Sequence, residues 1–540
     1  MQPTNHAMKH WVFAFVLSLI VSFCSVAQAD ESTFQAGIEN LLEKSFKDKA
    51  QGAQQVAHSG DDRAEKILKA LLNKQLFYTK TDKTVVFFDK TVSTTQATPV
   101  LSGKALTIES AKSLKRIKTN NKMRGQIRQL LANIQLSNPN SVMRLAAVNS
   151  MTGKVTAEQV EAIRLLSTDE QDPQVKTAMQ TLIHLSELES NNENVVKAAI
   201  SGLAGNLNQQ VRPKLEVLQD SDNKEIAASA KETLKAIDEK VRWYGHLETL
   251  FFGLSLGSVL VLAAIGLAIT FGVMGVINMA HGELIMLGAY TTYTIQHYIL
   301  PNFPGVSLIL SIPAAFVVAG LVGILIERTV IRHLYGRPLE TLLATFGISL
   351  ILQQAVRSIF SPLNRSVETP EWMSGSIQIN EVLSLTLNRM VVIAFCLVVF
   401  AALFIVLKKT SLGLQVRAVS QNRGMARAMG VKASKVDAMT FGLGAGIAGI
   451  AGVALSQLTN VGPNLGQGYI IDSFMVVVFG GVGNLWGTLI SGFSLGIANK
   501  FLEPYAGAVL AKILVLVFII LFIQKRPRGL FPQKGRAADS

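Results

Sequence analysis

The rhythm of hydrophobic and polar positions changes twice along this chain. Between Lys74 and Ser110, short β-type runs (Gln75–Tyr78, Thr84–Phe88, Ala105–Ile108) alternate with polar turns and predict a small β element. From about Asn121, small and apolar residues recur at intervals of three to four, each run led by a capping residue. Asn138-Pro139 precedes Val142 and Leu145, Asp172-Pro173 precedes Val175 and Ala178, Asn194-Val195 precedes Ala198, and Asp222 precedes Ile226. The pattern predicts successive short helices. Their separation of roughly 20 to 33 residues suits stacked hairpins of the HEAT or armadillo kind, with an ordinary helical bundle as the alternative. After residue 245 the text becomes apolar, with segments at about 250–271, 284–300, 306–326, 341–360, 390–407, 438–458, 470–482, 487–502 and 508–524. Several approach the roughly 20 residues that a helix needs to cross hydrocarbon. The expected class is therefore mainly α: a polytopic membrane domain over 246–531, behind a soluble, mostly helical domain over 30–245.

The first residues have their own pattern. Lys9-His10 leads into an apolar run from Trp11 to Cys24, and Ala27-Gln28-Ala29 follows before Asp30. This is the layout of a secretory signal over 1–29, since the run is short for a span. Export would put the 30–245 domain outside the cytoplasm.

Composition sharpens the division. Of 540 residues, 49% are hydrophobic and 16% charged, against about 25% charged in soluble domains. Before residue 250 there are 31 Lys/Arg and 27 Asp/Glu; from there on, 20 and 10. The basic excess of the second half lies in loops between apolar runs, which is a membrane pattern and argues against nucleic acid. Arg328, Arg332 and Arg337 share one loop, seven basic residues lie between Lys408 and Lys435, and Lys525, Arg526 and Arg528 close the last segment. All three clusters, with the tail 532–540, are expected in the cytoplasm. Glu368, Glu371 and Glu381 mark an outside loop. An outside front and an inside tail require an odd number of crossings, nine or seven. The two cysteines sit in apolar runs, and His58, His184 and His246 are isolated, so neither a metal site nor a catalytic group is expected, and no cofactor.

Three places break the apolar text. Gly272 to Glu283 brings Asn278, His281 and Glu283, with Gly282, to the membrane edge or into it, where an ionisable group costs on the order of 3 kcal/mol and is usually kept for a task. A turn with solvated ends is the plainer reading. Gly480-Gly481-Val482-Gly483-Asn484 splits a second run. Interrupted segments in both halves of a membrane domain point to a transport pathway. The third, Gly413 to Val431, is basic and rich in small residues, and it ends at Gly430. It reads as a helix over 415–431 whose Ala418, Gly424, Met425 and Met429 face a partner's groove, with Arg417, Arg423 and Arg427 at the rim. The alternative is a loop that only orients the chain.

At these residues residues 247–531 resemble the membrane subunits of ABC importers of the branched-chain amino acid and urea class. The motifs are N-M-A-H-G-E (278–283), R-A-V-S-Q-N-R-G-M-A-R-A-M-G-V (417–431), F-G-G-V-G-N-L-W-G (479–487) and R-P-R-G-L-F (526–531). The signal-led front domain and Asn484-Leu485-Trp486 resemble the urea subgroup. The resemblance implies a non-enzymatic permease in the inner membrane, surrounded by lipid. It would pair with a second related permease, two cytoplasmic ATP-binding subunits and an external solute-binding protein. Independently, the chain lacks a G-x-x-x-x-G-K-[ST] loop for gripping ATP phosphates. An ion-coupled transporter or a channel is the rival class. For urea the path should offer amides and hydroxyls, and Asn278, Gln353, Gln354, Asn460, Ser473 and Asn484 are candidates, together with Gly480, Gly481 and Gly483 at the break.

Overall fold

The structure, a computed structural model, describes residues 31–88, 96–101, 106–107, 113–152, 155 and 157–531. The expected signal over 1–29 and the tail 532–540 lie outside the described residues. The chain divides into two units, Met1–Ile237 and Asp238–Ser540.

The front unit opens with α1 (Glu31–Asn40), α2 (Phe46–His58) and α3 (Arg63–Leu72). An antiparallel sheet follows, in the order β4-β3-β2-β1-β5, built from β1 (Leu76–Thr79), β2 (Val85–Phe87), β3 (Gln96–Pro99), β4 (Leu106–Thr107) and β5 (Leu114–Arg116). Two of these strands, β3 and β5, were not foreseen. Phe34, Ile67, Leu68, Leu76 and Ile127 are fully buried where helices and sheet meet, each worth about 1.5–3 kcal/mol. Six helices continue: α4 (Asn121–Leu136), α5 (Ser141–Met151), α6 (Ala157–Asp169), α7 (Pro173–Glu187), α8 (Glu193–Gly202) and α9 (Val211–Gln219). Asp172 caps α7 as read, but the caps of α5 and α8 are Asn140 and Asn192, two residues from the asparagines singled out. Ion pairs Arg144–Glu170, Arg164–Glu187 and Lys214–Glu189 join residues 23 to 26 positions apart. Arg164–Glu187 joins α6 to α7, while Glu170 and Glu189 lie in the turns after α6 and α7.

Helix α10 (Lys224–Met274), which begins before the division at Ile237, supplies the first apolar segment of the second unit. Then come α11 (His281–Thr294), α12 (Pro304–Thr329), α13 (Pro338–Phe360), α14 (Leu387–Lys409), α15 (Ser411–Gln421), α16 (Arg423–Ala428), α17 (Ala433–Ser456), α18 (Gln467–Gly480) and α19 (Leu485–Lys525). Among the described residues, six helices are long and apolar enough to cross a membrane: α10, α12, α13, α14, α17 and α19. The two 14-residue helices α11 and α18 are shorter.

As one rod, the 41 residues of α19 would be about 60 Å long. Yet the Asn484 amide before it hydrogen-bonds to the Phe531 carbonyl after it, at 3.1 Å. The helix must fold back, and it does so at Gly507, whose φ of 77° is outside the helical range. Leu495 and Val515, on opposite sides of that turn, share one apolar core. The two segments read at 487–502 and 508–524 are thus its two arms.

Helix α17 lies at the centre and is almost wholly buried. Its small residues let three neighbours press against its backbone. A methyl on Gly444 would sit 2.7 Å from the Gly266 carbonyl oxygen of α10, and one on Gly449 2.5 Å from that of Ala315 in α12. One on Gly452 would overlap the Ile285 carbonyl of α11. Small residues at such crossings are how helices associate where lipid offers no hydrophobic drive. Gly449→Leu should therefore cost more than about 3 kcal/mol of packing and abolish the folded protein. Gly468→Leu, at an open position, should leave it intact. Monodispersity and thermal melting in detergent would show this, and equal behaviour of the two variants would refute it.

Candidate translocation site

Helix α10 ends at Met274, and Gly275 takes a φ of 66° to start the turn into α11. That turn buries Asn278, His281 and Glu283 almost completely. Asn278 Oδ1 accepts from the Ala280 N–H at 3.0 Å. His281 Nε2 lies 2.8 Å from the Ala263 carbonyl, which can only accept, so Nε2 carries a proton. Gln353 Nε2, on α13, donates to Glu283 Oε1 at 2.7 Å and to Ser349 Oγ at 3.3 Å. Three side-chain atoms in this turn find no partner among the described residues: Asn278 Nδ2, His281 Nδ1 and Glu283 Oε2. Each such burial costs about 1–3 kcal/mol.

The structure buries Asn278, His281, Glu283 and Gln353 around this turn, with Glu283 bonded to Gln353 of α13 and His281 to the Ala263 carbonyl of α10, and leaves the other candidates out. Gln354 is exposed, as is Asn460 in the turn after α17. Ser473 donates to the Tyr469 carbonyl one turn back, at 2.7 Å. Beside Gly282 a Cβ would meet the Gly466 carbonyl at 2.7 Å, so that space is filled by protein. Sequence reading passed over Thr341, Thr345 and Ser349. With Gln353 they recur every four residues and are all buried on α13, while Leu339, Leu343 and Leu350 are exposed. Thr345 receives the Met279 N–H at 3.1 Å, which ties this stripe to the turn. The period of four was legible, had polar rather than apolar positions been tracked.

The second break is a clamp. Helix α18 stops at Gly480, and Gly481 and Gly483 take φ of 102° and 80°. Asn484 caps α19 by accepting from the Gly487 N–H at 3.1 Å. The R-P-R-G-L-F ending then docks on it: Leu530 N–H donates to the Phe479 carbonyl at 2.9 Å and Phe531 N–H to that of Gly480 at 3.2 Å. A Cβ on Gly481 would lie 2.7 Å from the Phe531 carbonyl oxygen, and one on Gly480 2.5 Å from the Gly487 backbone. Both amide atoms of Asn484 are thus engaged within the chain.

The third element differs from expectation. Residues 415–431 do not form one helix: α15 and α16 are separated at Asn422, whose extended backbone and side chain cap α16 by accepting from the Met425 N–H at 2.9 Å. Arg423 is no rim residue. It pairs with Asp437 at the start of α17 and stacks over the Tyr335 ring at 4.6 Å. Asp437 is fully buried, and near it Glu327 Oε1 has no hydrogen bond among the described residues. Burial lifts the Tyr335 hydroxyl far above its ordinary range, with the Asp437 charge adding to the effect. Arg417 donates to the Leu407 carbonyl. Ala418 is half-buried, and Arg427 and Gly424 are exposed. Met425, Met429 and Leu414 are 61%, 79% and 63% exposed, apolar side chains on a basic loop. Gly430 ends the segment with a φ of 88°.

Residues 249–523 match the family described as the permease component of the branched-chain amino acid transport system. The chain belongs to this family. Its relatives include the high-affinity branched-chain amino acid permease LivH of Salmonella typhimurium, 30% identical over 53% of this chain and 94% of that protein. BraD of Pseudomonas aeruginosa is 29% identical over 53% and 96%. The ribose import permease RbsC of Escherichia coli is 29% identical over 23% and 41%. No solved structure matches. As a family member the chain is a multi-span membrane permease of an ABC transporter, a transport component rather than an enzyme. Membership implies association with ATP-binding and solute-binding components.

The Arg423–Asp437 pair generates a stability prediction. Arg423→Ala strands a buried carboxylate and should cost about 3 kcal/mol. Adding Asp437→Ala should recover most of that loss. A double-mutant cycle on thermal unfolding in detergent reads the coupling, and additive losses would show that the pair contributes nothing.

Proposed function

We propose that this chain forms half of the translocation path of an ATP-driven importer for a small polar solute, and that the solute is urea. The carrying observation is the polar turn at the start of α11. It leaves one amide donor, Asn278 Nδ2, and one carboxylate acceptor, Glu283 Oε2, without partners among the described residues, in an apolar interior. A neutral solute bearing both C=O and N–H groups can exchange bonds with both as the path opens. Among the described residues, none of the hydrogen-bond partners of this turn is cationic, as the carboxylate of an amino acid would favour. Branched-chain amino acids are the second reading, favoured by the names of the relatives at about 30% identity.

The remaining half of the path would come from a second, related permease. The exposed Leu414, Met425 and Met429 would meet the ATP-binding subunit, since methionine side chains repack as a groove changes shape. The basic loops would face the cytoplasm. The front unit, reached through an odd number of apolar segments, would lie outside, where it can meet the solute-binding protein or the sister permease.

Two measurements test this. In a strain lacking the chain, the wild type should restore uptake of labelled urea that requires the ATP-binding subunits and survives a protonophore. Glu283→Gln should lower that uptake about tenfold; restored leucine uptake without urea uptake would transfer the assignment to amino acids. Separately, Met429→Cys, in a background without Cys24 and Cys396, should cross-link to the ATP-binding subunit and stay inaccessible to an impermeant thiol reagent outside. Labelling from outside would overturn both orientation and coupling surface.

A further inference from the structure

A cavity of about 370 Å³ opens between the ends of α10 and α14, helix α15 and the start of α19. Its walls include Ile269, Phe404, Leu407 and Trp486, and two cations, Lys408 and Arg417, lie in its lining. Among the described residues, no carboxylate lines it. Neither cation joins a salt bridge among the described residues: Lys408 sits over the Phe404 ring at 5.2 Å, and Arg417 spends one N–H on the Leu407 carbonyl. Trp486 stands edge-on to Phe400 and Phe404, at 5.3 and 5.8 Å between ring centres, and is 52% exposed.

The position of this cavity selects its occupant. The apolar stretch of α14 ends at Lys408-Lys409 and that of α10 at Met274, while α19 begins at Leu485. Three apolar segments therefore reach their boundary around one pocket, with an aromatic ring of the type that marks the membrane–water interface. A pocket with an apolar wall, unpaired cations and no acid, set between spans at that level, fits an amphipath with an anionic head.

We propose that this cavity binds an acidic glycerophospholipid, its phosphate held by Lys408 and Arg417 and its acyl chains laid against Phe404, Ile269 and Trp486. The lipid would join the end of α14 to α15, and so brace the helix that precedes the exposed methionines. The assignment is independent of which solute crosses the membrane.

Trp486 reports on the site directly. The full-length chain, with Trp11, Trp243 and Trp372 replaced by Phe, is placed in nanodiscs and titrated with brominated phosphatidylglycerol or brominated phosphatidylcholine. With two cations at about fivefold each, quenching should favour the acidic lipid by about 25-fold, and Lys408→Gln should reduce that to about fivefold. Rising salt should weaken the preference in the unaltered cavity, which keeps the test open if Lys408→Gln does not fold. Millimolar inorganic phosphate should not displace the lipid. Equal quenching by the two lipids, or a preference indifferent to both Lys408→Gln and salt, would overturn the proposal. So would displacement of the acidic lipid by phosphate or by a soluble acidic peptide, which would mark the cavity as an anion or protein site.

Discussion

Close approach of α17 to three neighbours is the constraint on which the membrane unit depends. Its glycines and alanines remove the side chains that would hold α10, α11 and α12 away, so their carbonyls contact α17 backbone directly. In lipid, separating two apolar helices exposes nothing unfavourable to water, so dispersion across tightly fitted surfaces must hold them. Such a fit is intolerant of added volume. It also fixes α11, because the Ile285 and Gly288 backbone of that helix is gripped by Gly452 and Gly449, while Gly466 at the start of α18 holds Gly282 in its first turn.

That grip explains how polar atoms persist at the turn. Asn278, His281 and Glu283 would relax toward water or toward each other if the helix could shift. Anchored on one side by α17 and on the other by Gln353 and Thr345, they are held with part of their bonding capacity unused. Unused capacity in an apolar interior is costly, and a solute path is one reason for a membrane protein to retain it.

The second glycine-rich break works in the opposite sense. Around Gly480–Asn484 every hydrogen bond described closes on the chain itself, through the Asn484 cap and the docked Leu530 and Phe531. Glycine there permits the approach of the terminal turn once α19 has folded back at Gly507. Two breaks that look alike in composition thus differ in chemistry: one leaves polar atoms open and the other satisfies them. Arg423 shows the same divergence within the basic loop, since its charge goes inward to Asp437 while the methionines face out.

The nine apolar segments, the division between a charge-balanced front and a basic membrane half, and the positions of all three breaks were legible in the residues. Each of these is a local property: length of an apolar run, sign of a loop, or glycine where a helix must stop. The caps of α5 and α8 were misplaced by two residues because several asparagines nearby can serve, and only backbone geometry selects one. Which polar residues share a core was decided by tertiary structure alone. Gln353 and Gln354 are adjacent in sequence and opposite in environment, because the rotation of α13 against α11 turns one inward and leaves the other exposed. Asp437 and Arg423 are fourteen positions apart, and nothing local to either requires the pair; it exists because α17 packs at the centre and leaves a buried charge at its end that a neighbouring arginine must meet.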